Sequence, residues 1–409
     1  MGADKRGTDV RLRRARLAVA VVFAVHGAVT GSFATRVPWI QAHAGIDAGR
    51  LGLALAFPAI GASVAMPLAG RVSHRLGSRA ALRLLLSSWC ASLALPALSP
   101  GPLTLCAALG LYGATAGMAD VAMNALGVET EERIGRSIMS GLHGMWSAGV
   151  LAGSAAGTVA AHAGTDARLH LGIAAGALVL LGTLTCRWVL DLRTAPGEHP
   201  PPRFSLPPRA ALAIGAVGFC AVFAEGASLD WSAVYLRDVI GSDPGVAAAC
   251  TTAFSCTMAA ARFVGDAAVR RFGPVRTVRA GGVLATAGGV LAVSGGGPAA
   301  AIAGFALIGL GIAVVVPLAF AAAGRGGPAP SQAIAGVATI TYASGLIAPA
   351  AIGQIAHASS LVVSFTLVTV LTTGMVLGAG VLRTPARGAV GAGPAGERAS
   401  SAAESPGLE

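Results

Sequence analysis

The sequence predicts an all-α membrane protein, with twelve transmembrane helices in two parallel-repeat six-helix bundles around a central cavity. Three observations predict it. The 409 residues are 54% hydrophobic and only 11% charged, against about 25% charged in a soluble domain, so there is too little polar surface to face water. The apolar residues gather into twelve stretches of about the 20 residues that cross a bilayer core. The arginines, 28 of the 29 basic residues, collect in the tails and in every second gap between those stretches.

In order, the spans are 17–38, 50–69, 80–99, 102–127, 138–162, 169–190, 210–235, 245–264, 278–296, 298–323, 332–356 and 359–382. The basic run Arg11 to Arg16 ahead of Leu17 to Ala34 looks like a signal peptide. Its apolar part exceeds the usual 7–15 residues, and many spans follow, so an uncleaved first helix is expected. Basic clusters at Arg11 to Arg16, Arg71 to Arg83, Arg133 and Arg136, Arg187 to Arg209, Arg270 to Arg279, Arg325, and Arg383 to Arg398 all fall on one side. Loops that stay cytoplasmic retain Lys and Arg, so both termini are expected inside, at the plasma membrane. Arg50, Arg168 and Arg237, with Arg36 near a gap, are the exceptions. The net charge of +11 then reads as orientation and contact with lipid headgroups, and nucleic acid is not an expected partner. Six cysteines scattered through apolar stretches, without CxxC or Cys/His spacing, read as packing residues. No metal or cofactor is expected.

The domain layout follows. Residues 1–16 form a basic cytoplasmic tail, 17–190 a six-helix bundle, 191–208 a linker, 209–383 a second bundle and 384–409 a disordered tail. The linker holds Pro196, Pro200, Pro201, Pro202, Pro207 and Pro208, the composition of a semi-rigid spacer. The halves repeat. A shift of 196 residues sets Ile138, Trp146, Gly149 and Gly157 over Ile334, Tyr342, Gly345 and Gly353, and Gly77 over Gly273. A shift of 199 sets His26-Gly27-Ala28 over Glu225-Gly226-Ala227. Parallel repeats enclose a site near the midplane where they meet.

Gly70-Arg71-Val72-Ser73-His74-Arg75-Leu76-Gly77-Ser78-Arg79 lies between spans two and three. It resembles the Gly-x-x-x-Asp-Arg-x-Gly-Arg-Arg loop of the major facilitator superfamily, as does the twelve-span layout. Gly70, Arg75, Gly77 and Arg79 match, while His74 replaces the aspartate and Ser78 an arginine. A looser second copy holds Arg262, Gly265, Asp266, Arg270, Arg271, Gly273 and Arg276. The resemblance implies loops that hold the cytoplasmic side closed, with Glu131 or Glu132 able to supply the missing acid. It also implies a cavity lined by spans one, four, seven and ten. Thr35-Arg36-Val37-Pro38, Ala119 to Asn124, His143 to Ser147, and Glu225 to Ala227 with Asp230-Trp231-Ser232 are similar to a bacterial subgroup distantly like sugar permeases.

Ionisable side chains at membrane depth cost about 2.5–3.5 kcal/mol or more each, so they mark candidate sites. His26 lies ~14 Å into span one at 1.5 Å per residue, and Glu225 occupies the equivalent place in the second half. The resemblance sets the two on facing helices, where a carboxyl can load a proton on one side and release it on the other. Asp120 and His143 share a depth on spans four and five, with Asn124 one turn from Asp120 and Trp146 one turn beyond His143. That pair reads equally as a conformational switch or as a packing ion pair. Arg36 and Asp230 can pair across the outer mouth, and Arg36 can alternatively hold an anionic cargo. Trp231 reads best as an interfacial aromatic. Gly149, Gly153 and Gly157 read as small-residue packing that permits rocking. No catalytic triad or nucleotide fingerprint is present, so an enzyme is not expected.

These readings predict a monomeric secondary transporter that moves a small solute by alternating access. Proton coupling is the first choice, and import of a sugar-like or organic solute is slightly favoured. Drug or metabolite export is the alternative within transport. A non-transporting sensor on the same fold is the alternative outside it, although the linker and tail are short for a sensory domain.

Overall fold

The computed structural model describes residues 2–135, 138–191, 209–325 and 330–383. The linker beyond Asp191 and the tail from 384 lie outside the described residues. Twelve long helices follow one another: α1 (Gly2–Ala34), α2 (Ala48–Leu76), α3 (Ser78–Ser92), α4 (Pro102–Ile134), α5 (Met139–His162), α6 (Ala167–Thr185), α7 (Arg209–Asp238), α8 (Pro244–Phe272), α9 (Pro274–Ser294), α10 (Pro298–Ile312, resuming as Val315–Arg325), α11 (Pro330–Ala358) and α12 (Leu361–Gly378). All but α5 and α11 are long and apolar enough to cross a membrane, judged on the described residues. A short helix, Val37–Ala44, caps the exit of α1. Among the described residues there is no strand.

Four of the six long helices that start at the end far from the basic clusters, α2, α6, α8 and α12, carry side-chain caps, while α4 and α10 start after Gly101 and Gly297. Asp47, Asp166, Asp243 and Ser360 each accept from a backbone N–H of the first turn, satisfying donors that have no partner within the helix. At the arginine-rich end, the α2–α3 and α8–α9 turns pass through Gly77 (φ 78°, ψ 155°) and Gly273 (φ 78°, ψ 162°), a conformation essentially closed to residues with a Cβ. The repeat seen in the sequence is therefore a repeat of backbone geometry.

Within each half the same pairs pack: α2 on α4 and α8 on α10, α1 on α5 and α7 on α11, α3 on α6 and α9 on α12. Gly149 and Gly153 of α5 lie on α1, and a Cβ there would stand 1.9 Å from the Ala24 carbonyl oxygen and 2.2 Å from that of Ala28. These glycines therefore weld two helices of one half together. The expectation that they permit rocking is corrected, because they do not lie on the seam between halves.

Two seams join the halves, α2 with α11 and α5 with α8. Both seams are in contact at the far end. Gly52 and Gly353 meet backbone to backbone, a Cβ on Gly52 standing 2.6 Å from the Pro349 oxygen and 2.7 Å from Gly353 Cα. Gln354 Nε2 donates to the Gly49 carbonyl (3.1 Å), and Thr158 and Thr252 share a hydrogen bond (2.8 Å). Arginines that break the charge pattern staple this end. Arg36 donates to the Thr165 carbonyl. Arg168 contacts His43 and lies over the Trp39 ring. Arg237 donates to the Pro38 carbonyl and to Gln41 Oε1 (2.8 Å). The last contact ties the short helix of the first half to α7 of the second.

Candidate functional site

Polar residues inside the spans converge where α5 meets α7 and α8. Trp146, Ser147 and Val150 of α5, Glu225 and Leu229 of α7, and Phe254, Ser255, Met258 and Arg262 of α8 line a narrow cleft. Both halves contribute to it. Its centre is Arg262. One guanidinium nitrogen donates to Glu225 Oε1 at 3.1 Å, and the other donates to Ser147 Oγ at 2.7 Å. The guanidinium also lies 5.8 Å from the centroid of the Trp146 ring, within cation–π range. Glu225 and Arg262 belong to one half, Ser147 and Trp146 to the other. An ion pair internal to the second half thus aims its cation across the seam.

Trp146 carries the network on to His26. Its Nε1–H donates to His26 Nδ1 at 3.1 Å. An indole can only donate, so Nδ1 must hold a lone pair. His26 Nε2, at 3.4 Å from the Ala116 carbonyl, then carries the ring proton. Both nitrogens are used and the imidazole is neutral in this arrangement. Trp89 donates to the His26 carbonyl (3.3 Å) and packs beside the ring, centroids 5.2 Å apart. Beyond it Tyr112 lies 4.2 Å from Trp89, and Phe33 lies 5.0 Å from Tyr112. His26 therefore faces into its own half and reaches Glu225 only through Trp146 and Arg262, which corrects the direct opposition expected from the repeat.

The other expected residues separate. Asp120 accepts from Asn124 Nδ2 (3.1 Å) and lies within electrostatic range of His26. His143 is exposed, bonded to the Met139 carbonyl of its own helix (3.0 Å) and beside Phe23. The Asp120–His143 pair does not form, because α5 lies against α1 and touches α4 little. The Arg36–Asp230 gate does not form either, since Arg36 turns to Thr165 within its own half. Trp231 is fully buried, which removes it from an interfacial belt.

The loop residues divide similarly. Arg79 Nε donates to the Val189 carbonyl at 3.1 Å, so the first loop docks on the end of α6. Arg75 is exposed, and Gly70 has open space beside it. Glu131 accepts from the Ile138 and Met139 N–H groups (2.6 and 2.9 Å) and caps α5. In the second copy Arg271 lies over Phe272, and Gly273 makes the turn. The Asp266 side chain lies outside the described residues. Arg262, expected in a gate loop, sits inside the apolar part of α8.

Comparison with known proteins follows this geometry. The model of the Major Facilitator Superfamily matches residues 19–349. A transporter of Sinorhizobium fredii, y4wD, is 34% identical over 368 residues, covering 89% of this chain and 97% of that protein. The chain belongs to the Major Facilitator Superfamily. An MFS-type transporter of Yersinia pestis is 36% identical over 358 residues, covering 86% of this chain and 91% of its own. The fold is also that of a bacterial homologue of the human lysosomal transporter Spinster, solved inward-facing and unoccupied. The TM-score is 0.71 at 12% identity, over 91% of this chain and 97% of that one. The protein is therefore a multi-pass secondary transporter of small solutes embedded in lipid, and not an enzyme.

Three residues of the superfamily member's interior escaped the sequence reading. Arg262 carried a signal, an arginine inside predicted span eight, but the loop resemblance absorbed it. Trp89 and Tyr112 carried none, because an aromatic in an apolar span looks like any core residue.

Proposed function

We propose that the protein is a proton-coupled importer in which Glu225 carries the proton and Arg262 transmits its arrival across the seam. The bridge from Glu225 through Arg262 to Ser147 and Trp146 carries this reading. Protonation of Glu225 removes the charge that holds Arg262, and the guanidinium keeps its own charge at any working pH. The pair is partly buried, so unpairing it is worth less than the ~3–5 kcal/mol of a fully buried ion, and a loss of about 2 kcal/mol shifts a two-state equilibrium by about thirtyfold. The reading treats residues 17–190 and 209–383 as the two moving bodies and the arginine-rich end as cytoplasmic, with both termini there. Closure of the far end then makes this the inward-facing state, consistent with the conformation of the Spinster homologue. A single chain contains both halves of the cavity, so the working unit is a monomer. A sugar-like or organic cargo remains the favoured class, on the resemblance already given.

The test uses proteoliposomes and a solute found by thermal-shift screening, since a ligand stabilises the state it binds. Glu225→Gln is expected to abolish accumulation driven by a pH gradient while exchange of bound solute continues. Normal accumulation by that variant removes Glu225 from the mechanism.

A further inference from the structure

Asp230 has no counterpart among the contacts described so far. It lies five residues past Glu225 on α7, ~7.5 Å further toward the far end, and its neighbours Ala227, Ser228, Trp231 and Ser232 are fully buried. Asp230 itself keeps partial exposure, one residue past Leu229 of the narrow cleft at the α5–α8 seam. No hydrogen-bond donor or cation among the described residues reaches it. Each nearby arginine is engaged elsewhere: Arg36 with Thr165, Arg237 with Pro38, Gln41 and Asp238, and Arg262 with Glu225 and Ser147. An ionised carboxylate at such depth without a partner is unfavourable; a proton relieves it, and so does a cation supplied from outside the chain.

Its surroundings say which. Across the seam the Tyr112 hydroxyl is buried without a partner and lies within electrostatic range of Asp230. The Tyr112 ring is the middle of the aromatic run Trp89, Tyr112, Phe33. Trp231 Nε1 and Ser228 Oγ, beside Asp230 in the chain, are also buried and unpartnered. Aromatic faces attract cations, and these buried polar groups become available to a polar body only where the helices around Asp230 part. The interior charge points the same way. Asp120, Glu225 and Asp230 stand against two arginines, Arg262, which is paired with Glu225, and the buried Arg36, which turns to Thr165, while the hydrogen bonds of His26 keep it neutral.

We propose that Asp230 anchors a cationic group on the cargo, so that the transported class is a polar solute bearing a protonated amine, its charge held by Asp230 and its body against Tyr112. This rests on reading the space between the halves as the cargo route, and it is independent of which residue carries the proton.

The experiment varies charge on one scaffold. Purified protein is tested by thermal shift and equilibrium binding at neutral pH with glucosamine, glucose and gluconate. Glucosamine is expected to bind about tenfold or more tightly than glucose, with gluconate weakest. Asp230→Asn should erase that preference and Asp230→Glu should restore most of it. Preference for gluconate, or a glucosamine preference untouched in Asp230→Asn, overturns the proposal. A second measurement holds if no sugar fits the site. Carbodiimide labelling of Asp230 with glycinamide is read by peptide mass spectrometry in the presence of trimethylammonium, a tertiary amine that forms no amide, or of its uncharged analogue tert-butanol. Protection of Asp230 by trimethylammonium and not by tert-butanol is expected. Equal labelling in the two, or none at Asp230, overturns the proposal. These are binding and labelling measurements, so failure here leaves the flux result for Glu225→Gln standing, and the reverse.

Discussion

The two seams between the halves are built from opposite materials. The α2–α11 seam closes on glycine against glycine at Gly52 and Gly353, with its charges confined to the rim, where Asp47 and His357 stand 3.9 Å apart and both are exposed. The α5–α8 seam carries its charge deep inside, on Arg262, with Thr158 and Thr252 closing it toward the far end. A glycine contact responds to shape and ignores protons. A buried cation held by a carboxylate responds to protons. Under the proposed mechanism one seam serves as a steric stop and the other as the titratable latch.

Replacing the latch should have the largest effect. Arg262→Ala leaves Glu225 without its cation and cuts the tie to Ser147, and proton-driven uptake should fall by about a hundredfold or more. Arg262→Lys keeps the charge but not the two-armed geometry and should lose about tenfold. Uptake within twofold of wild type in Arg262→Ala would end the contrast between the seams.

Gly52→Leu attacks the stop. Overpacking costs about 1–3 kcal/mol, and because the clash exists only when the far end is closed, it should shift the population toward the open form by about ten- to a hundredfold. Cysteine accessibility near residue 52 from the far side should rise, while the melting temperature changes little. A large loss of thermal stability would show instead that the seam is part of each half's core.

Trp146→Phe keeps a ring against Arg262 but removes the donor to His26. The expected loss is about 1 kcal/mol, read as a change of a few fold in affinity or rate. Thr158→Val and Thr252→Val should each cost less, and a double-mutant cycle should show coupling of about 0.5 kcal/mol.

The rim should matter least. The Arg50 N–H holds the Asp47 carboxylate below its ordinary range. A depressed folded value means its contribution is present above that range and is lost only as pH falls through the folded value. The contribution of Asp47 should therefore be flat from about pH 5 to 8, and Asp47→Asn should leave the pH profile of transport unchanged. A profile that moves with Asp47→Asn would assign titration to the wrong seam.

Much of this was legible in the residues themselves. Arginine periodicity gave the order of spans, and Gly77 over Gly273 gave a repeat that returns as matching backbone angles. Glu225 was legible because a carboxylate in an apolar stretch needs a reason. Partnerships were not. Depth along two helices says nothing about rotation, so His143 and Asp120 share a level yet face apart, and Arg36 turns to Thr165 and not to Asp230. Rotation is set by packing of α1 on α5, and that depends on backbone contact at glycines whose partners the sequence does not name. Arg262 was hidden for another reason: a long side chain reaches well away from its own Cα.

The bare backbone junction at Gly52 and Gly353 has a pharmacological consequence. A surface that admits no methyl group when shut must open a smooth, shallow slot each time it parts, its main-chain amides already bonded within their own helices. A flat, rigid apolar compound reaching the far end would find a slot there that exists only in mid-cycle, and should slow turnover without competing for the cargo.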